Sequence, residues 1–248
     1  MVSCIEAQSL TPPHPIQRIE FAPAQLDLAE LNRRFESATP QEILAWAVAT
    51  IPNLAQMTSF SMGAVTHMLY HDLQTKVPVI FLDTLHLFPE TLETAQKAKE
   101  FYNLCLHTYQ AAPNREEFIA KYGDRLWERD IDRFHYLTKV QPMERALDEL
   151  SVQGWITGRR RDQSVTRQTM PILERDQDGR IKINPLANWT HKDLWRYTFT
   201  HGVLYNPLHD QGYSSIGDQP LTTKVRAGED ERAGRWRGSV KTECGIHQ

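Results

Sequence analysis

Cys244, in the closing segment "KTECGIHQ", is the side chain of this sequence best suited to nucleophilic attack. Of the three cysteines, Cys4 lies near the front and Cys105 sits inside the apolar run "NLCLHTY", where a thiol reads as a small buried hydrophobe. A thiol attacks as its thiolate, and an unperturbed pKa of about 8.5 means that nearby positive charge must help it ionise. Lys241 and His247 flank Cys244 at three residues on either side, while Glu243 opposes them. Cys244 and His247 are the expected catalytic residues. Three scattered cysteines make no disulfide framework, so the thiol starts reduced.

Cationic groups for an anionic substrate are concentrated in "GRRRDQSVTR", which holds Arg159, Arg160, Arg161 and Arg167 against the single acid Asp162. The planar guanidinium fork donates paired hydrogen bonds to phosphate or sulfate, and such a cluster after a buried strand is costly to desolvate without an anion. A second basic set, including Lys224, Arg226, Arg232, Arg235, Arg237 and Lys241, precedes the cysteine. The segment "SFSMGAV" puts Ser59, Ser61 and Gly63 before a helix start, where free backbone N–H groups favour an anion. It is neither a Walker A loop nor a dinucleotide fingerprint. Lys139 in "TKVQP" fits a solvated lysine or a phosphate contact equally well. His67 and His71 share a helix face at i, i+4, a spacing that can bind zinc. No third ligand is apparent beside them, so they read as helix-face residues and no metal site is expected.

These groups need a scaffold. After a Pro-rich arm ("TPPHPI"), helical patterning runs from about Ala24 to Ser37. "TPQE" then opens a helix over Pro40 to about Thr50, with Thr39 as N-cap and Glu42 closing a capping box. Strands are expected at "LAQMTS", "VPVIFL", "NLCLHTY" and "VQGWITG". The intervening helices fall at "GAVTHMLYHDL", "PETLETAQKAKEFY", "REEFIAKY", "DRLWERDIDRF" and "PMERALDEL". Continuously apolar strands alternating with helices predict an α/β fold with a doubly wound, mainly parallel sheet. A capped helix runs from Thr190 to His201, with Gly202 as its C-cap. The expected organisation is residues 1–50 as an N-terminal arm and helices, 51–202 as an α/β domain, and 203–248 as a flexible C-terminal tail or lid. Ligands of such sheets sit at the carboxyl ends of the strands, where "SFSMG", "DTLHLFPET" and "GRRRDQS" fall.

Composition excludes several classes. A net charge of −3 argues against a general nucleic-acid or anionic-membrane surface, and no apolar run approaches the roughly 20 residues of a spanning helix. The N-terminal residues lack a signal-peptide pattern, so the expected location is cytoplasmic.

Taken together, "DTLHLFPET", "KVQPMERAL", "GRRRDQSVTR", "YNPLHDQGYSSIGD" and "KTECGIH" resemble, in order, the motifs of the sulfonucleotide reductases. These are the phosphoadenylylsulfate and adenylylsulfate reductases of assimilatory sulfate reduction. The resemblance runs from about Leu54 to His247 and implies an adenine nucleotide alpha-hydrolase (PP-loop) type fold. It puts the family's nucleophile on Cys244, which attacks the sulfur of the sulfonucleotide and forms an S-sulfocysteine. It implies substrate contacts at Ser59, Phe60, Ser61, Gly63, Asp83, Thr84, Lys139, Gly158, Arg160, Arg161, Arg167, Arg235 and Arg237. Thioredoxin, with glutaredoxin as the alternative, is the implied reductant and a homodimer the implied assembly.

Relatives that reduce adenylylsulfate usually hold an iron–sulfur cluster through a Cys-Cys pair and a Cys-x-x-Cys pair. The corresponding positions here are Phe134, His135, Asp218 and Leu221. The resemblance therefore points to a cluster-free enzyme with no bound cofactor that uses 3′-phosphoadenylylsulfate, with a cluster-free adenylylsulfate reductase as the alternative. "AGEDERAGRW" (227–236) looks more like tails of the cluster-bearing branch, and Ser61 stands where many relatives have glycine. A PP-loop ATP pyrophosphatase would want paired glycines and an aspartate in the loop, which "SFSMGAV" lacks. A non-catalytic nucleotide-binding protein would be indifferent to Cys244→Ser.

Overall fold

The computed structural model describes residues 26–226, 228–236, 241, 243 and 245–247. Helices α1 (Leu28–Phe35) and α2 (Pro40–Thr50) lead into strand β1 (Leu54–Thr58). The predicted capping box of α2 is present: Thr39 Oγ1 accepts from the Glu42 amide, and the Glu42 carboxylate accepts from the Thr39 amide at 2.7 Å. Helix α3 (Ala64–His67) continues through a π-helical turn (Met68–Asp72) to β2 (Val79–Leu82), and α4 (Pro89–Tyr102) leads on to β3 (Leu106–Tyr109). The chain then forms α5 (Arg115–Tyr122), α6 (Leu126–Arg129) and α7 (Ile131–His135). A second π turn (Tyr136–Val140) joins α7 to α8 (Gln141–Glu149), which returns to β4 (Gly154–Ile156). The stretch read as one helix over "DRLWERDIDRF" is two, because Asp130 leaves helical geometry and its side chain caps α7 through the Arg133 amide.

The sheet has six strands in the order β3-β2-β1-β4-β6-β5, where β5 is Leu173–Arg175 and β6 is Ile181–Ile183. All neighbours are parallel except β5 and β6. The sequence reading lacks this last hairpin. Its strands are only three residues long, and Lys182 interrupts the apolar run of β6. That lysine is buried against Glu174 at 3.6 Å and lies 5.1 Å from the Trp155 ring centre. Edge strand β3 is half-exposed rather than continuously apolar, and Cys105 beside it is half-buried, with Sγ 3.4 Å from His107 Nε2.

Alternation along the strands divides the core between the faces. Val79 and Phe81 pack with α1–α4 and with the final helix α9 (His191–His201), while Ile80, Leu82, Ala55 and Trp155 pack against Ala146 and Leu147 of α8. Burying each such aliphatic side chain contributes about 1.5–3 kcal/mol. Helix α9 carries the predicted Thr190–Asp193 capping box and the left-handed Gly202 C-cap. The strand order reverses between β1 and β4, which opens a crevice at their carboxyl ends. Val203 to Trp236 crosses that end, bridging Met62 to Tyr205, Leu87 to Asp218 and Thr222 to Arg235. Among the described residues, no helix is long and apolar enough to cross a membrane.

Candidate active site

A cleft of about 250 Å³ occupies the crevice, lined by the loops after β1 and β4, the α7–α8 π turn, α9 and the C-terminal segment. After β1 the chain turns sharply at Phe60, whose φ of 52° is left-handed and whose ring packs on Phe81 at 5.1 Å. This strained residue is held by burial, and it leaves Ser59 and Ser61 on the cleft while Phe60 itself faces the core. Ser61 Oγ lies 3.0 Å from His209 Nε2. Gly63 is required by close approach, since a Cβ there would come within 2.4 Å of the Leu204 carbonyl oxygen.

The arginine cluster divides by direction. Arg160 is 1% exposed and faces the cleft, its guanidinium donating to Asp162 at 2.9 Å and to Glu231 at 2.5 Å. Arg167 donates from Nε and Nη2 to the two Glu243 oxygens, both at 2.8 Å, and Arg232 reaches the same carboxylate at 3.1 Å. Arg161 points the other way, toward Glu36 at 2.7 Å, Asn188 and the Met170 carbonyl, as the chain passes from extended geometry at Arg160 into a 3-10 turn over Arg161–Gln163. Gly158 lines the cleft with open space around its Cα. Thr84 also lines it, whereas Asp83 accepts from the Leu85 amide at 2.9 Å and from Gln110 at 2.6 Å, outside it.

Lys139 reaches the cleft from the buried π turn and is ion-paired to Asp218. Burial works against the Asp218 carboxylate, but Lys139 and His135 outweigh it and hold that acid below the ordinary range. Arg235 lines the opposite wall, donating to the Ile216 carbonyl at 3.1 Å with its guanidinium 4.7 Å from the Trp236 ring centre.

Cys244 and Arg237 lie outside the described residues. Their neighbours dock on the cleft: Glu243 on Arg167, Ile246 on the α8 face of the core, and His247 stacked on Trp155 at 5.8 Å and 9°. Burial, then Arg159, Arg167, Lys182 and Arg232, push His247 well below the usual histidine range, and its Nδ1 has no hydrogen-bond partner among the described residues. His247 is therefore neutral at pH 7. Glu243 is held low because the Arg167 hydrogen bonds and Arg232 outweigh the burial that raises it. Burial dominates at Glu231 and moves it up.

The cleft brings together Ser59, Ser61, Thr84, Lys139, Gly158, Arg160, Arg167, Arg235 and His247. Phe60 and Gly63 shape it from behind, and Asp83 and Arg161 lie apart. Sequence reasoning missed Glu231, His209 and the α9 residues His191 and Trp195, which also line it. Only the tail and "YNPLHDQGY" motifs marked the first two, and nothing in the α9 pattern marked its cleft-facing end.

Comparison with known proteins gives a consistent outcome. Residues 54–224 match the family model described as the phosphoadenosine phosphosulfate reductase domain. The chain is 43% identical to the "Probable phosphoadenosine phosphosulfate reductase" of Schizosaccharomyces pombe, covering 96% of this chain and 90% of that one. It is also 43% identical to the "Adenosine 5'-phosphosulfate reductase" of Salinibacter ruber, over 89% and 88%. The crystal structure of a phosphoadenylyl-sulfate reductase from Candida auris, a phosphate complex, superposes with a TM-score of 0.72 at 41% identity, covering 80% of this chain and 96% of that one.

Proposed function

Because the chain belongs to the phosphoadenosine phosphosulfate reductase family, we propose that it reduces 3′-phosphoadenylylsulfate to sulfite and adenosine 3′,5′-bisphosphate, with thioredoxin as the electron donor. The observation that carries this reading is the convergence of Lys139, Arg160, Arg167 and Arg235 on one cleft, with Glu243, next to Cys244 in the chain, paired to Arg167 and with Ile246 and His247 lining the same cleft. Attack of a thiolate on a sulfonate brings two anions together, and these cations offset that repulsion and the charge on the departing phosphate.

In the first step the Cys244 thiolate forms a bond to the substrate sulfur. The sulfur–oxygen bond to the phosphate breaks, and its electron pair leaves with the nucleotide. The product on the enzyme is an S-sulfocysteine. One thiolate of thioredoxin then attacks Cys244 Sγ, sulfite departs with the electron pair of the sulfur–sulfur bond, and a mixed disulfide is left; the second thioredoxin thiolate attacks its partner sulfur, closing the thioredoxin disulfide and releasing the Cys244 thiolate. His247, uncharged at pH 7, is available to guide a proton rather than to supply fixed charge. A homodimer in the cytoplasm belongs to the same reading.

Preference for the 3′-phosphorylated substrate is supported by the four positions where related enzymes carry cluster cysteines. They gather in space but offer no thiolate: His135 Nε2 lies 3.6 Å from Asp218 Oδ2, Lys139 pairs with the same carboxylate, and Phe134 and Leu221 pack in one apolar cluster. The buried ion pair and rings fit no iron–sulfur cluster. Adenylylsulfate is the second reading, favoured by the similarity to the Salinibacter ruber enzyme.

The deciding experiment supplies thioredoxin and compares sulfite release from the two nucleotides, with an iron assay on the same sample. Faster turnover of the 3′-phosphorylated nucleotide and no iron are expected. Cys244→Ser should abolish sulfite release and leave nucleotide binding intact, and retained turnover would overturn the role of Cys244.

A further inference from the structure

At the far end of α3, where the sequence offered two histidines and no third ligand, the fold supplies one. His67, His71 and Asp72 each present a donor atom, and these atoms lie within 4.8 Å of one another. In an α-helix, residues five apart diverge by roughly 140°, so Asp72 would not face His67. The π turn Met68–Asp72, closed by the Leu73 amide on the Met68 carbonyl at 2.9 Å, rewinds the backbone and swings Asp72 under the two rings. Such turns are rare and concentrate at functional sites. We propose that His67, His71 and Asp72 form a binding site for a divalent transition-metal ion of the zinc class.

The geometry of the carboxylate supports this. Asp72 Oδ2 is fixed by the Tyr197 hydroxyl at 2.7 Å and the Gln41 amide at 3.3 Å, which turns Oδ1 toward the histidines. Oδ1 lies 3.0 Å from His71 Nδ1 and 3.8 Å from His67 Nε2. Tetrahedral zinc with bonds of about 2.1 Å separates its donor atoms by roughly 3.4 Å, between those two distances. The imidazoles are stacked at 4.4 Å and 23°, so both direct a nitrogen to the same oxygen.

A second, independent observation comes from His67. Its side chain is 4% exposed, and Nε2 has no hydrogen-bond partner among the described residues. Its other nitrogen, Nδ1, lies 3.0 Å from the Tyr102 hydroxyl. An outer partner on one ring nitrogen, with the other left bare beside a carboxylate, is how metal-bound histidines are oriented. A hydrogen bond from His71 to Asp72 would account for His71 but leaves the buried Nε2 of His67 without a hydrogen bond among the described residues, which is costly. A cation at the common point satisfies all three groups.

Two imidazoles and a carboxylate suit zinc and its transition-metal neighbours, not the oxygen-seeking magnesium or calcium. A fourth position remains for water or for His201 of α9, whose ring lies 6.1 Å from that of His67. None of the three ligands lines the catalytic cleft, and the π turn after α3 puts His71 and Asp72 about 10–12 Å along the helix from its start. The ion would tie α3 to α4 through Tyr102 and to α9 through Tyr197, and so would act structurally.

The test is a zinc titration of chelator-stripped full-length protein against a chromophoric competitor, run in parallel on wild type, His71→Ala and Asp72→Asn. His71 is exposed and the Asp72→Asn side chain keeps an acceptor for Tyr197, so both variants should fold, with circular dichroism and unchanged sulfite release as controls. Wild type should bind one equivalent more than either variant, and zinc should raise the wild-type melting temperature but not theirs. Equal stoichiometry in all three proteins, or no zinc bound by wild type, would overturn the site.

Discussion

Arg167 meets Glu243 through a paired, two-point contact, and Arg160 meets Glu231 in the same cleft, so the cations proposed to bind substrate are already neutralised by carboxylates of the C-terminal segment. In the proposed reaction the phosphates of the nucleotide replace those carboxylates, and a guanidinium can exchange one planar two-oxygen partner for another where an ammonium cannot. Arg167→Lys should therefore raise KM for the 3′-phosphorylated nucleotide roughly 10- to 100-fold, the effect of losing one charged hydrogen bond. Steady-state sulfite assays measure it, and an unchanged KM would remove Arg167 from the substrate site. His247 gives a pH prediction. Burial and the surrounding cations depress its pKa, so it stays neutral from pH 8 down past the ordinary histidine value near 6.5 and protonates only below it. Single-turnover S-sulfocysteine formation should show no histidine step between pH 6 and 7. A step there that vanishes in His247→Gln would contradict the assignment.

The elements that carry these residues are held by specific local devices. Gly63 lets the loop after β1 pass under the Val203–Leu204 backbone, and Gly63→Ala would drive a Cβ to 2.4 Å from a carbonyl oxygen that has no flexible side chain to yield. The expected cost is about 1–3 kcal/mol of stability, together with a raised KM as Ser59 and Ser61 are displaced, read by urea unfolding and kinetics on the same variant. Helix α9 offers a contrast. Its Thr190 cap accepts from the Asp193 amide at 3.1 Å, at the helix end from which His191, Leu194 and Trp195 reach the cleft. Thr190→Ala should lower the melting temperature by roughly 2–4 °C, the consequence of losing one N-cap in a domain of this size. Because the remaining α9 packing persists, kcat should change less than twofold.

At the scale of the molecule, four parallel strands, the capped helices α2 and α9 and the cleft at the strand ends were legible in the sequence, because long apolar runs and capping residues act locally. The β5–β6 hairpin was not, since Lys182 looks polar until Glu174 and Trp155 are seen to surround it. Direction was also hidden: the adjacent Arg160 and Arg161 read alike, yet one enters the cleft and the other anchors Glu36. Long-range pairing accounts for the rest, above all Asp218, which joins the C-terminal segment to the α7–α8 rod through Lys139 and His135. Asp218→Asn leaves Lys139 buried without its counter-charge and should cost about 3–5 kcal/mol, whereas replacing both partners by apolar residues should be close to neutral. The pH dependence has a definite sign. The folded-state pKa of Asp218 lies below its unfolded value of about 3.9, so its contribution is present above that pH and fades as pH falls toward the folded value. Urea unfolding should therefore show wild type losing the pair's contribution only below about pH 4. Lys139→Met/Asp218→Leu should keep near-wild-type stability at pH 7 with a shallower acid limb, and should lose sulfite release because Lys139 also faces the cleft. A double variant as unstable as Asp218→Asn would show that the site demands the ion pair itself, not merely a filled, compensated space.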